Sequence, residues 1–344
     1  MSKGYSVNAT VDVLRLTREL IDIPSVTGQE FEIGNSIGEL LNRLGYHVEL
    51  QDIASERSNI IATTEAPPRI VLSTHMDTVP PFIASHEDDE FIYGRGACDA
   101  KGIIAAQIAA AEKLRAGGVK EIGLLFTVDE EITSGGAKVA NDHPAASACE
   151  YLINGEPTDN CLAAGTKGSL QAKISTVGRA AHSAYPEQGE SAVEKLLDIL
   201  QNLRSTGWPA DEKFGETTCN IGVISGGTRA NVIPDSAQAI VQLRLASDAN
   251  SIQQLLEEGI GGRGSLEYTS VHNPVHLLTV DGFETMLARF TTDIPYLSNW
   301  GKPLLIGPGS ILVAHTAGER VAKTELLKAV EIYTNLVQRL LGQA

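Results

Sequence analysis

The sequence predicts an α/β protein of two domains: a larger one built on a mixed sheet and a smaller, ferredoxin-like βαββαβ unit inserted into it. Three observations predict this. Helical periodicity alternates with short apolar runs up to about residue 165. Near Thr166 the texture changes to strands of period two, and after residue 276 the first texture returns. A chain of 344 residues suits two domains, since a domain commonly runs to ~100–200 residues. With 42% hydrophobic and 20% charged residues, it has the apolar mass of a soluble globular protein. The expected boundaries are 1–165 and 277–344 for the larger domain and 166–276 for the insert.

Taken in order, Ile33, Ile37, Leu40, Leu41 and Leu44 recur at helical spacing, and Gly45 stops the run. The segments 47–53, 59–63 and 70–74 are apolar, bounded by turn residues, and read as strands. Residues 101–115 are Ala-rich and helical, closed by Gly117 and Gly118; 121–128 and 151–153 read as buried strands. In the insert, 169–177 is a strand and 191–203 an amphipathic helix, followed by strands at 219–225 and 237–245. Val241, Leu243 and Leu245 alternate with Gln242 and Arg244, as on a half-buried sheet. A helix at 251–258 and a strand at 265–271 complete the order. After His276 the expectation is helix, then a strand at 304–306 and a last helix over 324–341.

A net charge of −16 argues against nucleic acid or an anionic membrane as partner. The four cysteines, Cys98, Cys149, Cys161 and Cys219, form no C-x-x-C pair, which argues against a structural zinc knot or redox motif and suits a reducing compartment. The N-terminal residues lack a continuous apolar core with a cleavage site, and no apolar run approaches ~18 residues. The expected location is the cytoplasm. Neither G-x-G-x-x-G nor G-x-x-x-x-G-K-[ST] occurs: after Gly94 and Gly96 the third glycine position holds Asp99. No G-x-S-x-G elbow occurs either, which disfavours a serine hydrolase.

Five short polar segments stand out, most of them at a strand end. In Ser-Thr-His75-Met-Asp77, alternation places His75 and Asp77 on one face, so His75 could bind a metal with Asp77 orienting its ring. Asp99 lies in a glycine-rich turn before the Ala-rich helix. Asp129, Glu130 and Glu131 follow a buried strand, where crowded carboxylates need a cation or a proton. Adjacent residues point differently, so one Glu can ligate while its neighbour serves as a base. Glu156 follows another strand, and Gly307-Pro-Gly309 leads to His315. Together these supply two His and three carboxylates, a ligand set that zinc uses, with one Glu to spare. Two metals about 3.5–4 Å apart need a carboxylate between them, and Asp99 is the natural bridge.

On these residues the sequence resembles the M20 metallopeptidase/deacylase family, which includes acetylornithine deacetylase, succinyl-diaminopimelate desuccinylase, aminoacylase-1 and glutamate carboxypeptidase. Seven segments carry the resemblance in register: 73–79, 93–102, 127–135, 155–158, 178–185, 228–235 and 307–319. It implies a zinc-peptidase-like catalytic domain, with the insert as lid or dimerisation domain of a homodimer. It implies that His75 and Glu156 bind one zinc, that His315 and Glu131 bind the other, and that Asp99 bridges them. Cobalt or manganese could occupy the same ligands. Asp77 would support His75, and Glu130 would be the general base and acid. His182, in Gly-Arg-Ala-Ala-His-Ser, would reach a partner subunit's site and polarise the scissile carbonyl. Asn231, Arg244, Gly307 and Gly309 would bind substrate.

The implied reaction is cleavage of the amide of an N-acyl amino acid by metal-activated water, closest in feel to the amino-acid-biosynthetic acetylornithine deacetylases. A dipeptidase or carboxypeptidase of the same family is the alternative. A metal-binding regulator without activity would lack the base, and Glu130 is present. In one departure, Ser310 stands where close relatives carry an acid after the Gly-Pro-Gly turn, which bears on substrate matching rather than on the metals.

Overall fold

The structure is a computed structural model that describes residues 11–342. The chain forms two compact units. One takes the chain up to Ala164 with Leu277–Met286 and everything from Thr292 onward; the other takes Gly165–His276 with Leu287–Thr291.

The first unit is built on a six-stranded sheet in the order His47–Ala54, Arg57–Thr63, Ile122–Thr127, Ile70–His75, Tyr151–Asn154, Lys302–Leu305. The first two strands run antiparallel, and Arg57–Thr63 is antiparallel to Ile122–Thr127. From Ile122–Thr127 to Lys302–Leu305 each neighbouring pair is parallel. Every residue of Ile70–His75 and Ile122–Thr127 is buried. Parallel strands covered on both faces read as continuous apolar runs, which is why they were visible in the sequence.

The helix Lys101–Ala116 packs against this sheet and against the helices Val13–Ile21 and Lys323–Leu340. Enclosed in this way, it has no polar face over its first three turns: residues 101–111 are all buried, and alanine lets the neighbours approach closely. Gly155 shows how close. A Cβ there would stand 2.6 Å from Gln107 Nε2 and 3.1 Å from the Tyr333 hydroxyl. Gln107 donates to the carbonyl of Ser73 and Tyr333 to that of Ile306, so helix side chains hold the strand ends that lead into the polar segments. The helix Val13–Ile21, which the sequence analysis does not predict, is capped by Asp12, whose side chain accepts from the amides of Leu14 and Arg15.

The second unit is a four-stranded antiparallel sheet, ordered Thr218–Gly226, Ser236–Leu245, Gly168–Val177, Ser265–His272, with the helices Ala192–Ser205 and Ala249–Ile260. Strand–helix–strand–strand–helix–strand is the order expected of a ferredoxin-like unit. Leu170, Ala172 and Ile174 alternate with half-buried Gln171, Lys173 and Ser175, and the three apolar side chains pack with Leu196, Ile199, Leu200, Ile252 and Leu256 in a core of the unit's own. The helix expected directly after His276 is absent. The chain there forms a strand, Thr285–Ala288, and a 3₁₀ turn, Ile294–Tyr296. The turn starts at a Thr-Thr-Asp-Ile-Pro stretch whose proline fits only the first turn of a helix.

Candidate metal centre and active site

All four parallel strands deliver candidate residues from their carboxyl ends. Ile70–His75 ends on His75 and leads to Asp77; Ile122–Thr127 leads to Glu130 and Glu131; Tyr151–Asn154 leads to Glu156; Lys302–Leu305 leads to the turn before His315. Ligand sites of parallel α/β sheets lie beyond this edge. Asp99 arrives separately, on the turn between the strand Phe91–Tyr93 and the buried helix.

The side chains converge on Asp99. His75 Nε2 lies 2.9 Å from its Oδ1, and His315 Nε2 lies 3.1 Å from its Oδ2. His315 Nε2 is also 3.0 Å from Glu131 Oε1. Ligand atoms of His75, Asp99 and Glu131 all fall within 4.8 Å of one another, a group that mixes the two ligand sets the resemblance implied. Glu156 lies outside that group. It is buried, and the charges of His75 and Asp99 act on its carboxyl. His75 is 1% exposed and the His315 side chain 49% exposed, so the cluster is closed on one side and open on the other.

The donor chemistry fits divalent cations. His75 Nδ1 donates to the backbone carbonyl of Asp77 at 2.9 Å, which turns Nε2 toward a carboxylate oxygen of Asp99, the nitrogen that would offer its lone pair to a cation once its proton is displaced. His315 Nε2 faces two carboxylate oxygens and can satisfy only one with a proton. A cation among these atoms serves all of them. Ligand atoms around a tetrahedral metal with bonds of ~2.0–2.1 Å stand about 3.3 Å apart, close to the separations seen. The carboxyls of Glu130 and Glu156 are pushed well above their usual range, first by burial and then by neighbouring carboxylates. Asp99 is driven the other way: burial opposes its charge, but hydrogen bonds from His315 and His75 hold it low. His315 is raised to about 10, chiefly by Asp99 and then Glu131.

Asp77 does more than the sequence suggested. Its backbone carbonyl, rather than its carboxylate, takes the His75 hydrogen bond; the carboxylate Oδ1 lies 3.6 Å from His75 Nδ1. The carboxylate instead accepts from the amides of Glu130 at 3.0 Å and Glu131 at 3.2 Å, and from the Thr27 hydroxyl at 2.8 Å. One side chain therefore fixes the strand end carrying His75 to the turn carrying the proposed base. Asp129 is not part of the acidic crowd. It adopts φ +69° and turns its carboxylate to Arg57 Nη2 at 2.8 Å and to Thr133, while Arg57 also holds the buried Glu30.

Two further buried carboxylates near the centre carry no signal in the sequence. Asp293 accepts from the Thr127 hydroxyl at 2.7 Å, and its Oδ1 has no partner among the described residues. Burial raises its carboxyl to about 6, and its charge acts on Glu130 and Glu156. It sits in a loop with no local pattern, and only the fold reveals it. Glu319 is the other, four residues past His315.

Gly307 and Gly309 engage the protein itself. Gly307 donates to the Thr158 hydroxyl, and its carbonyl accepts from Asn160. Gly309, at φ +84°, passes so close to Cys98 that a Cβ would overlap its side chain, and its carbonyl accepts from Asp159. The two glycines shape the turn against the Asp99 segment, so neither presents these groups to a substrate. Ser310 points its hydroxyl at Asp159, 3.4 Å away.

The remaining candidates belong to the second unit. His182 Nδ1 accepts from the amide of Ala184 at 3.1 Å, which places the ring proton on Nε2. The Asn231 carbonyl accepts from Ser183 at 3.0 Å, so the two predicted residues lie on adjoining loops. Arg244 lies on the strand Ser236–Leu245, in register with Ser169 and Thr218. It is half-buried, has no hydrogen-bond or ion-pair partner among the described residues, and burial lowers its proton affinity.

Imidazoles and carboxylates gathered at the ends of parallel strands, with a free carboxyl beside them, define a metal-dependent hydrolase. Comparison with known proteins places it more narrowly. A family model described as the peptidase dimerisation domain matches residues 164–279. A probable carboxypeptidase of Aspergillus clavatus is 36% identical over 98% of this chain and 90% of its own length. A peptidase M20 domain-containing protein of Schizosaccharomyces pombe is 36% identical over 95% of this chain and 84% of its own. The chain belongs to the M20 peptidases.

Two solved structures agree on the fold. Aminopeptidase PepT from Bacillus cereus superposes with TM-score 0.79 at 20% identity, covering 97% of this chain and 99% of that one. The Bacillus subtilis YXEP protein, described as a dinuclear metal binding peptidase, superposes with TM-score 0.70 at 15% identity, covering 96% and 98%. Among the described residues no helix is long and apolar enough to cross a membrane.

Proposed function

We propose that the chain is a two-metal carboxypeptidase: it hydrolyses the amide bond that precedes a residue with a free α-carboxylate. The observation that carries this reading is Arg244, a half-buried guanidinium with no partner among the described residues. A guanidinium grips a carboxylate through two parallel hydrogen bonds, and Asn231 would add an amide donor.

His75 and Glu156 would hold one divalent cation and His315 and Glu131 the other, with Asp99 between them. Bound there, zinc or a similar cation supplies Lewis acidity and lowers the pKa of water toward ~7. Glu130 would take the proton from the attacking water and pass it to the departing amine. Burial and the neighbouring Glu156 carboxylate raise its proton affinity, which favours taking up that proton. Asp77 would keep Glu130 and Glu131 in register with His75. His182 would donate from Nε2 to the oxygen of the scissile carbonyl in the partner subunit of a homodimer, and the tautomer set by Ala184 supports that donation.

Hydrolysis of an N-acyl amino acid such as N-acetylornithine would use the same groups and differ only in the acyl pocket. The names of the relatives favour the peptide. The test is a panel of N-acyl amino acids and N-blocked peptides, each with a free or amidated C-terminus, on zinc-loaded and chelated enzyme. Expected are cleavage of N-blocked peptides with a free C-terminus, slow turnover of acetyl amino acids, and none after chelation. Equal rates on amidated peptides would sink the carboxypeptidase reading.

Arg244→Ala should raise KM for the best substrate by roughly 10–100-fold, the equivalent of losing about 1.5–3 kcal/mol of charged hydrogen bonding, with little change on amidated analogues. Arg244→Lys should recover only part, since an ammonium lacks the planar fork. Steady-state kinetics on the paired substrates reads both.

A further inference from the structure

The turn carrying Asp99 is held by a carboxylate that the mechanism above does not use. The Glu319 side chain is fully buried. Its Oε1 accepts from the amide of Gly96 at 2.8 Å and the amide of Asp99 at 3.3 Å, and the Cys98 thiol lies 3.8 Å away. Its Oε2 pairs with the guanidinium of Arg95, itself 2% exposed. Arg95 Nη1 also donates to the carbonyl of Thr316 at 3.3 Å, the residue after His315. The backbone joins the same two segments: the amide of Gly94 donates to the carbonyl of Glu319, and Tyr93 pairs with Arg320 in an antiparallel ladder.

These contacts connect two segments that are far apart in sequence and each bring one part of the centre. Residues 94–99 bring Asp99, and residues 315–319 bring His315. His315 itself sits at φ +63°, a region that a residue with a side chain occupies only when its surroundings hold it there. With both oxygens taken by donors from the Asp99 turn and with no exposed surface, Glu319 is unavailable as a ligand. Its contacts can act on the centre only through the residues they hold.

We propose that Glu319 is a positioning residue for the metal pair: through Gly96, Asp99 and Arg95 it sets where the Asp99 carboxylate stands relative to His315. It thereby tunes the affinity of the cation that those two residues share. This rests on the two-metal reading above.

The test is titration of chelator-stripped, full-length enzyme with zinc against a competing chromophoric chelator, alongside kcat and KM at limiting and saturating zinc. Wild type should bind two zinc ions. Glu319→Gln keeps the volume and one acceptor oxygen but sets an amide donor against Arg95. In this variant one site should weaken by roughly 10–100-fold, the range seen when an outer partner of a metal ligand is removed, while the other holds. kcat should fall at limiting zinc and recover as zinc is raised, with KM unchanged.

Wild-type affinity at both sites of a folded Glu319→Gln protein overturns the proposal. So does equal weakening at both, which would report general loosening. Should Glu319→Gln not fold, Arg95→Lys decides: it keeps the charge but loses the fork, and should weaken one site in the same sense, whereas unchanged binding overturns the proposal. A wild-type protein that binds no zinc would instead remove the two-metal reading itself.

Discussion

Glu130→Gln is expected to lower kcat by roughly 10²–10⁴-fold, the usual contribution of a positioned general base, while leaving the metal content unchanged. The substitution is nearly isosteric. Glu130 stays partly open to solvent, and its carboxylate accepts no hydrogen bond from the described residues. Its main chain is held by Asp77, and that contact survives the change. Burial and the charge of Glu156 are the main forces raising its proton affinity, and a neutral amide relieves them, so the variant should unfold no earlier than wild type. Metal analysis, an unfolding curve and steady-state kinetics read the three statements. A Glu130→Gln enzyme with most of its activity would reassign the base.

The same variant tests the role of His182. If Glu130 of one subunit works with His182 of the other, a dimer of one Glu130→Gln chain and one His182→Ala chain has one intact site and one doubly impaired site. Random exchange in a two-fold dimer should then return about a quarter of wild-type turnover, although neither parent is active alone. No recovery in dimers verified as mixed would remove the trans-subunit role.

What the sequence disclosed follows from how a parallel sheet is made. A strand buried on both faces reads as an apolar run, and a polar residue directly after it is an anomaly with a location. His75, Glu130, Glu131 and Glu156 stand out in that way, and Asp99 by its glycine-rich turn. Asp293 and Glu319 carry no such signal. Asp293 precedes a 3₁₀ turn in an irregular stretch, and its burial depends on Thr127, a partner far away in the chain. Glu319 has meaning only once the short ladder aligns Tyr93 with Arg320. Asp129 misled in the opposite direction: three adjacent acids looked like one crowded group, but a positive φ turns the first toward Arg57. Long-range partners decided each of these, and local pattern holds no record of them.

The other large effect belongs to Asp99. Asp99→Asn should reduce bound metal from two ions to one at most and lower turnover by on the order of 10³-fold or more. The loss is several kcal/mol of charge stabilisation, at about 1.4 kcal/mol per tenfold in rate. In the native protein both oxygens of Asp99 are engaged, one by each imidazole, at 2.9 and 3.1 Å. An amide keeps one oxygen and turns an N–H donor at the other ring, so it cannot be a ligand on both sides. The readout that separates this from simple damage is the stability gained on adding metal. A site filled at about 100 times its Kd contributes about 2.7 kcal/mol, and wild type should gain from two sites because the cations offset the buried charges of Glu156 and its neighbours. In Asp99→Asn that increment should fall to one site's worth or vanish, whatever the variant's stability without metal. An Asp99→Asn protein that still takes up two ions, with the full increment in its unfolding midpoint, would mean that Asp99 is not the shared ligand.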